Sequence, residues 1–555
     1  MVLSSVSHFF WSVSGHRSQR QSPKHSYQSE PESLSCMPHT RRIAQNVLSN
    51  WFALAVTTLT GFFLSPFVVH HLGNLAYGVW VIVMSLVAYM NLLDLGLRGA
   101  ITRFVSKGSA QENHEESSQA VSGALWIRLW ISLAVIVTGL VLALGLQHVF
   151  VIPPALQQAA RIAVLVTAVS VAVNLWCGVF SGVLVALHRY DLTSSISILQ
   201  TCARTVGIVY LLRSGHGILA LAIWDLCTSL AAQGATIFLC LRIYPQLKIS
   251  LGRPDPATLA KLWNYSFYAF LINLALQVTY YTDNLVVGAF LSPSAVTLYA
   301  IGGLVIGYSR QIVSSMTTTF TPLASTFEAQ GSFDKLRRLA IHGTRAALLV
   351  SLPIQAALFF RGHTFIRLWM GEQYAQPSGT VMQILLLSVV FSSANTTSAG
   401  IVYGLEKHKR IALWGIIESV ANLSLSVVLV RRIGIYGVAW GTTIPSVIME
   451  MVLWPRYICG LLAIPVRTYL WQTWFRTGLS VIPFALACAA AERFWPAHNL
   501  LVFFLQIAAL LPLLPLTVVL IFRNEVAAQA SEWLRRRRSS DNLSREYETS
   551  TTTVG

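Results

Sequence analysis

The segments WNYSFYAFLINLALQVTYYTDNLVVGAF (263–290) and LYAIGGLVIGYSRQIVSSMTTTFTPLA (298–324), joined through LSPS (291–294), decide the fold. Each is apolar and longer than the about 20 residues that carry a helix across a bilayer, and the Ser-Pro-Ser between them leaves room only for a short turn. Each also holds one ionised side chain where hydrocarbon excludes charge, Asp283 in the first and Arg310 in the second. An arginine at the centre of a lipid-spanning helix costs about 2.5 to 3.5 kcal/mol or more, so such a residue turns toward a protein interior or a watery cavity. The stretch reads as a transmembrane hairpin whose charges face inward, and as the first place to look for function.

A second copy of this hairpin lies near the front of the chain. Asn50 to His70, the turn His71-Leu72-Gly73-Asn74, and Ala76 to Leu93 repeat the order of long span, short turn and long span. Tyr77 corresponds to Tyr299 (299 − 77 = 222) and Gln111 to Gln330 (330 − 111 = 219). Farther along, Leu187-His188-Arg189 enters a span ending before Gly215-His216-Gly217, and Leu405-Glu406-Lys407 enters one ending before Gly434-Ile435-Tyr436-Gly437. A near-constant offset over several spans is the mark of a duplicated unit. The unit holds six spans, and because six is even both copies enter the membrane from the same side, as parallel repeats.

Composition agrees. The 555 residues are 54% hydrophobic and 11% charged, against about 25% charged in soluble domains. An ordinary soluble protein is excluded. The expectation is an all-α polytopic membrane protein of about fourteen spans, with a first six-helix bundle in 47–250, a second in 251–460 and two extra helices in 461–522. Residues 1–46 and 523–555 read as disordered cytoplasmic tails, and Met37, just ahead of the first span, is a candidate translation start. Arg41, Arg42, Arg98, Arg103, Lys107, Arg242, Lys248, Lys335, Arg337, Arg338, Lys407, Lys409 and the run Arg535 to Arg538 fall on one side, and far fewer basic residues fall on the other. That bias places both termini in the cytoplasm. The net charge of +17 follows from the same bias and from anionic lipid, not from a nucleic-acid partner. The seven cysteines show no metal spacing and read as packing residues.

Four passages carry a resemblance. They are Leu92-Leu93-Asp94-Leu95-Gly96-Leu97-Arg98-Gly99-Ala100, the Phe290-Leu291-Ser292 turn with Tyr299 beyond it, Leu368-Trp369-Met370-Gly371, and Gly434-Ile435-Tyr436-Gly437-Val438-Ala439-Trp440-Gly441-Thr442. In this order and spacing the chain resembles the polysaccharide-transporter family, the O-antigen and lipid-linked oligosaccharide flippases of the multidrug/oligosaccharidyl-lipid/polysaccharide exporter superfamily, over roughly 45–525. The resemblance implies two six-helix bundles around a central cavity lined by the first, second, seventh and eighth spans. It also implies a non-enzymatic carrier in the bacterial inner membrane, working by alternating access on an undecaprenyl-pyrophosphate-linked oligosaccharide for O-antigen, capsule or exopolysaccharide synthesis.

The residues fit such a task in part. Arginine binds phosphate oxygens through a planar fork and stays charged, so Arg310 is the candidate head-group ligand, with Gln311 beside it and Ser314 on the same helical stripe; the alternative is a structural arginine paired with an acid. Asp283 reads as a partner of Arg310, a carrier of a coupling proton or cation, or an outer gate. Arg204 joins them as a cavity candidate, with Glu418 as its partner across the repeat, while Asp94, Arg98 and Arg103 read as a cytoplasmic entry or simply as the membrane boundary. Arg128 and Arg345 read as snorkelling, Asp225 as a packing residue or a proton site, and Gly303 and Gly307 as a GxxxG packing surface. Tyr265, Tyr268, Tyr280 and Tyr281 could stack on sugars.

No cofactor or metal is expected beyond coupling to a proton or sodium gradient, and the partners expected are the lipid-linked oligosaccharide, membrane lipids and other polysaccharide-assembly proteins, with the chain itself a monomer. The competing readings are a multidrug cation antiporter of the same superfamily, which would want acids rather than an arginine in its cavity, and a membrane oligosaccharide polymerase. The latter would need a long outward catalytic loop, and the longest here is about Arg361 to Ser378.

Overall fold

A computed structural model describes residues 37–94, 97–250, 281–317, 320–405, 407, 409–523 and 525. The first repeat contains α1 (Met37–Met90), α2 (Leu97–Ala110), α3 (His114–Val149), α4 (Pro154–Ala186), α5 (Tyr190–Arg213) and α6 (Ile218–Ile243). The second contains a helical stretch at 281–290, then α7 (Pro293–Thr317), α8 (Phe320–Ala329), α9 (Phe333–Met370), α10 (Glu372–Gly404), α11 (Lys409–Ile433), α12 (Ile435–Ile448), a π-turn at Met449–Leu453 and α13 (Trp454–Leu462). Then come α14 (Val466–Leu470), a second π-turn at Trp471–Phe475, α15 (Arg476–Phe494), α16 (Leu500–Leu510) and α17 (Leu513–Ile521). Among the described residues there is no strand, and 11 helical runs are long and apolar enough to cross a membrane. The first of these is divided at Gly73, whose φ of 74° only glycine adopts readily, where the sequence expects the hairpin turn.

The duplication is visible in the backbone. α3 and α9 begin at His114 and Phe333, and α5 and α11 at Tyr190 and Lys409, both 219 apart (333 − 114 and 409 − 190). Left-handed residues recur at the same offset, Glu112 with Gly331 and Gly215 with Gly434. Packing repeats as well: α3 on α4, α4 on α6 and α5 on α6 are matched by α9 on α10, α10 on α12 and α11 on α12. Local chemistry sets the helix starts. Asn113 caps α3 by accepting from the Glu116 amide at 3.0 Å, and Pro154 opens α4 at a position whose amide needs no partner.

Three sequence expectations are corrected. The outward loop expected at about Arg361 to Ser378 is helical except at Gly371, because α9 runs on to Met370 and α10 starts at Glu372. Gly303 and Gly307 do not mediate packing: a side chain added at either meets open space, whereas at their neighbour Gly302 it would lie 2.8 Å from the Ser378 carbonyl. Arg128 does not snorkel. It is 1% exposed and donates to the Leu175 carbonyl.

The repeats meet through their hairpins, α1 against α7. At Gly78 the approach is so close that a Cβ would lie 1.7 Å from the Pro293 carbonyl oxygen. The C-terminal helices are fastened to α9 at two levels. Arg361, wholly buried, donates to Glu492 (3.3 Å) and Gln506 (2.6 Å) and lies over the Phe503 ring. Sixteen residues earlier (361 − 345), Arg345 pairs with Glu525, which Arg476 also binds at 2.5 Å, and both guanidiniums cover Phe522. At 1.5 Å per residue the two clamps are about 24 Å apart, close to the depth of the hydrocarbon core.

Gly78→Ala is expected to lower thermal stability sharply, by about 2 kcal/mol or more from overpacking, while Gly303→Ala leaves it unchanged; a melting series in one detergent checks both. Burial works against the Glu525 carboxylate, but Arg345 and Arg476 hold it below the ordinary glutamate range. A depressed carboxylate contributes stability at neutral pH and loses it as pH falls through its folded-state value. Glu525→Gln should therefore melt earlier than the native protein at pH 7, with the gap closing as the solution becomes acidic.

Candidate functional site

The helical stretch 281–290 places consecutive side chains on different partners. Asp283, 5% exposed, accepts through Oδ2 from Tyr299 on α7 (2.5 Å) and Thr442 on α12 (2.6 Å). Thr442 in turn accepts from Asn422 on α11 at 3.1 Å. The flanking residues reach the other repeat: Asn284 donates to Ser85 at 3.2 Å and Thr282 bonds Tyr89, both on α1. One turn of helix thus ties the second repeat to itself and to the first. The other oxygen of Asp283, Oδ1, is buried without a hydrogen-bond partner.

Asp283 stands in the wall of a cavity of about 870 Å³ between the two hairpins. Trp80, Met84 and Ser85 of α1 form one side, and Tyr281, Asp283, Asn284 and the α7 residues Tyr299, Gly303, Gly307, Tyr308, Arg310, Gln311 and Ser314 the other, with Leu385 and Thr442 completing it. Gly303 and Gly307 serve the cavity by leaving it room. Arg310 is half-buried, and Gln311 is exposed and accepts from Thr58 at 3.1 Å. The field at Arg310 is richer in acids than the sequence implied: Asp283, Glu418 and Glu450 all lie within its electrostatic reach. Glu450, in the π-turn after α12, accepts from Asn395 at 2.5 Å. It was missed among the intramembrane charges, although a single carboxylate in the apolar run Ile444 to Trp454 carries the same signal that marks Asp283.

The remaining candidates scatter. Arg204 is paired with Asp225 at 2.9 Å between α5 and α6, away from the cavity, so the expected pair with Glu418 is not formed. That bond also accounts for Asp225. Arg103 is exposed on α2; the backbone places Asp94 in the turn Asn91–Asp94 and Arg98 in the first turn of α2, and their side chains lie outside the described residues. Tyr265, Tyr268 and Tyr280 also lie outside them, whereas Tyr281 lines the cavity. Among the described residues no cluster of three or more His, Cys, Asp or Glu is placed to hold a metal ion.

A second groove of about 830 Å³ runs between α10, the α12–α13 junction and α15, with Trp471, Trp474 and Phe475 on one side and Glu450 and Met451 on the other. Both π-turns border it.

Two helical repeats enclosing a central cavity define a membrane transporter fold. The solved structures agree: the fold matches the lipid II flippase MurJ in an inward closed conformation (TM-score 0.68, 14% identity, 87% of this chain and 100% of that one). It also matches an inward-facing multidrug MATE transporter of the MOP superfamily (TM-score 0.60, 14% identity, 74% of this chain and 98% of that one). The chain belongs to the family described as polysaccharide biosynthesis protein, whose model matches residues 70–378. Among its relatives are a protein named putative O-antigen transporter from Shigella flexneri, 21% identical over 74% of this chain and 96% of that protein, and one named probable flippase AglR from Haloferax volcanii, 21% identical over 69% and 77%. The uncharacterized membrane protein EpsK of Bacillus subtilis is 21% identical over 74% and 82%.

The seat of Asp283 is testable. Tyr299→Phe with Thr442→Val strands a buried carboxylate and should lose about 2 kcal/mol or more of stability. Adding Asp283→Asn should return a large part of it, as read from melting in the same detergent.

Proposed function

We propose that the protein is a flippase that carries an undecaprenyl-pyrophosphate-linked oligosaccharide across the bacterial inner membrane by alternating access, supplying surface polysaccharide synthesis. The observation that carries this reading is Arg310 on the wall of a central cavity lined by aromatic and hydroxyl side chains. A pyrophosphate and hydrated sugars must pass about 30 Å of hydrocarbon. A guanidinium supplies a fixed cation for the phosphates, and Trp80, Tyr281 and Tyr308 offer flat faces to sugar rings. Membership of a polysaccharide biosynthesis family and relatives named O-antigen transporter and flippase support the same reading. Movement is driven by a proton or sodium gradient, with the unpartnered oxygen of Asp283 as the coupling group. The chain acts as a monomer, since it supplies both halves of the cavity, with both termini cytoplasmic.

The three carboxylates around Arg310 favour one alternative, a cation antiporter of the same superfamily. Proteoliposomes distinguish the two. Wild-type protein should move a short polyprenyl-pyrophosphate-linked oligosaccharide between leaflets; Arg310→Ala should slow it at least tenfold, Arg310→Lys less, and Asp283→Asn should remove its response to an ion gradient. Transport of cationic drugs with no movement of the lipid would establish the antiporter instead.

A further inference from the structure

Pro66 sits inside α1 and has no amide hydrogen, so the carbonyl four residues earlier, that of Phe62, loses its partner within the helix. In the hydrocarbon layer such a carbonyl has to be satisfied by another part of the protein. Here the donor comes from the opposite repeat: the Trp369 indole Nε1 donates to the Phe62 carbonyl oxygen at 2.9 Å. The two rings also stack, with centroids 5.0 Å apart and planes 11° apart. Tyr308 meets both rings edge on, and Phe365 and Phe504 close around them. Tyr308 is itself part of the cavity wall, so this aromatic layer borders the cavity.

A second tie between the same elements lies beside the hairpin turn at Gly73. Gly371, at φ 116°, turns the chain from α9 into α10 directly after Trp369 and brings Tyr374 back to α1, where its hydroxyl donates to the Asn74 side chain. The Asn74 carbonyl accepts from Thr297 at 2.6 Å.

We propose that the Trp369 indole and the Phe62 carbonyl form a latch that holds the two repeats together beside the cavity and so keeps it closed to the outside, and that this is the role of the Leu368-Trp369-Met370-Gly371 passage. The inference rests on the alternating-access reading above. The proline makes the bond a switch. With the repeats closed and the layer dry, only the indole satisfies the carbonyl; with the outer end open, water does. Loss of the indole N–H therefore weakens the closed state alone and shifts the population toward the open one.

The test uses the full chain with its seven cysteines replaced by serine and a reporter, Gly303→Cys, whose side chain projects into the cavity without displacing a neighbour. A membrane-impermeant maleimide is applied to right-side-out spheroplasts. Trp369→Phe keeps an aromatic ring but removes the donor together with part of the stacked indole, a packing loss common to both backgrounds below; it should raise the labelling rate about tenfold, equivalent to about 1.4 kcal/mol, within the range for stranding a buried acceptor. In a Pro66→Ala background the restored amide satisfies Phe62 inside the helix, so Trp369→Phe should change labelling less than twofold. An unchanged rate in the Pro66 background, the same ratio in both backgrounds, or a gain seen only from inverted vesicles would overturn the latch. The readout needs no substrate: labelling as expected in a protein that moves no lipid would sink the flippase reading and leave the latch standing. Normal lipid movement with unchanged labelling would sink the latch alone.

Discussion

A charge placed in hydrocarbon must be answered from within the protein, and that constraint organises this molecule. Arg361 has Glu492 and Gln506, Arg204 has Asp225, Arg345 and Arg476 share Glu525, and Asp283 has Tyr299 and Thr442. Each bond joins different helices, so the need to satisfy the charge becomes a statement about which helices lie together. Replacing a buried ion pair with well-packed apolar residues is often neutral or stabilising. Stability alone therefore does not explain so many, and their positions sort them by task. The pairs at Arg361 and Arg345 fasten helices, whereas those around Asp283 and Arg310 stand at the cavity.

Much of this architecture was legible in the sequence. Long apolar runs, a repeat offset near 220 and the paired Tyr77 and Tyr299 are local or periodic features, and they suffice for two parallel bundles; the cavity between the hairpins came only with the family resemblance. Arg310 and Asp283 stood out because hydrocarbon is intolerant of them. The partners of the charges were not legible, since a partner is chosen by three-dimensional proximity. Arg204 found an acid 21 residues away on the next helix (225 − 204) and not the one that the repeat suggested. Gly303 and Gly307 fit a packing motif, but spacing does not say which face of α7 meets protein and which meets the cavity. The π-turns at 449–453 and 471–475 had no sequence mark, and they shape the groove beside Glu450.

The surroundings of Arg310 also change the physical picture of the cavity. A lone guanidinium would be a fixed anion trap, holding a phosphate too firmly to release it. With Asp283, Glu418 and Glu450 in its field, the anion-binding role proposed for it would be moderated, and the proposed coupling ion at one of the acids would retune it. On that reading binding strength is adjustable without any movement of the arginine.

The two clamps on α9 leave α15 and α16 no hinge of their own. The two helices are thus fastened to the second bundle, and α16 meets the first repeat at Phe504, edge on to Phe62. The molecule is thus a pair of unequal jaws, one backed by an extra slab of helix and the other bare to lipid along its outer face. If the proposed alternating access parts them, the displacement of surrounding lipid is lopsided, since the broad jaw has more bilayer to displace than the narrow one. Under that proposal the thickness and fluidity of the membrane on that one side enter the resistance to opening.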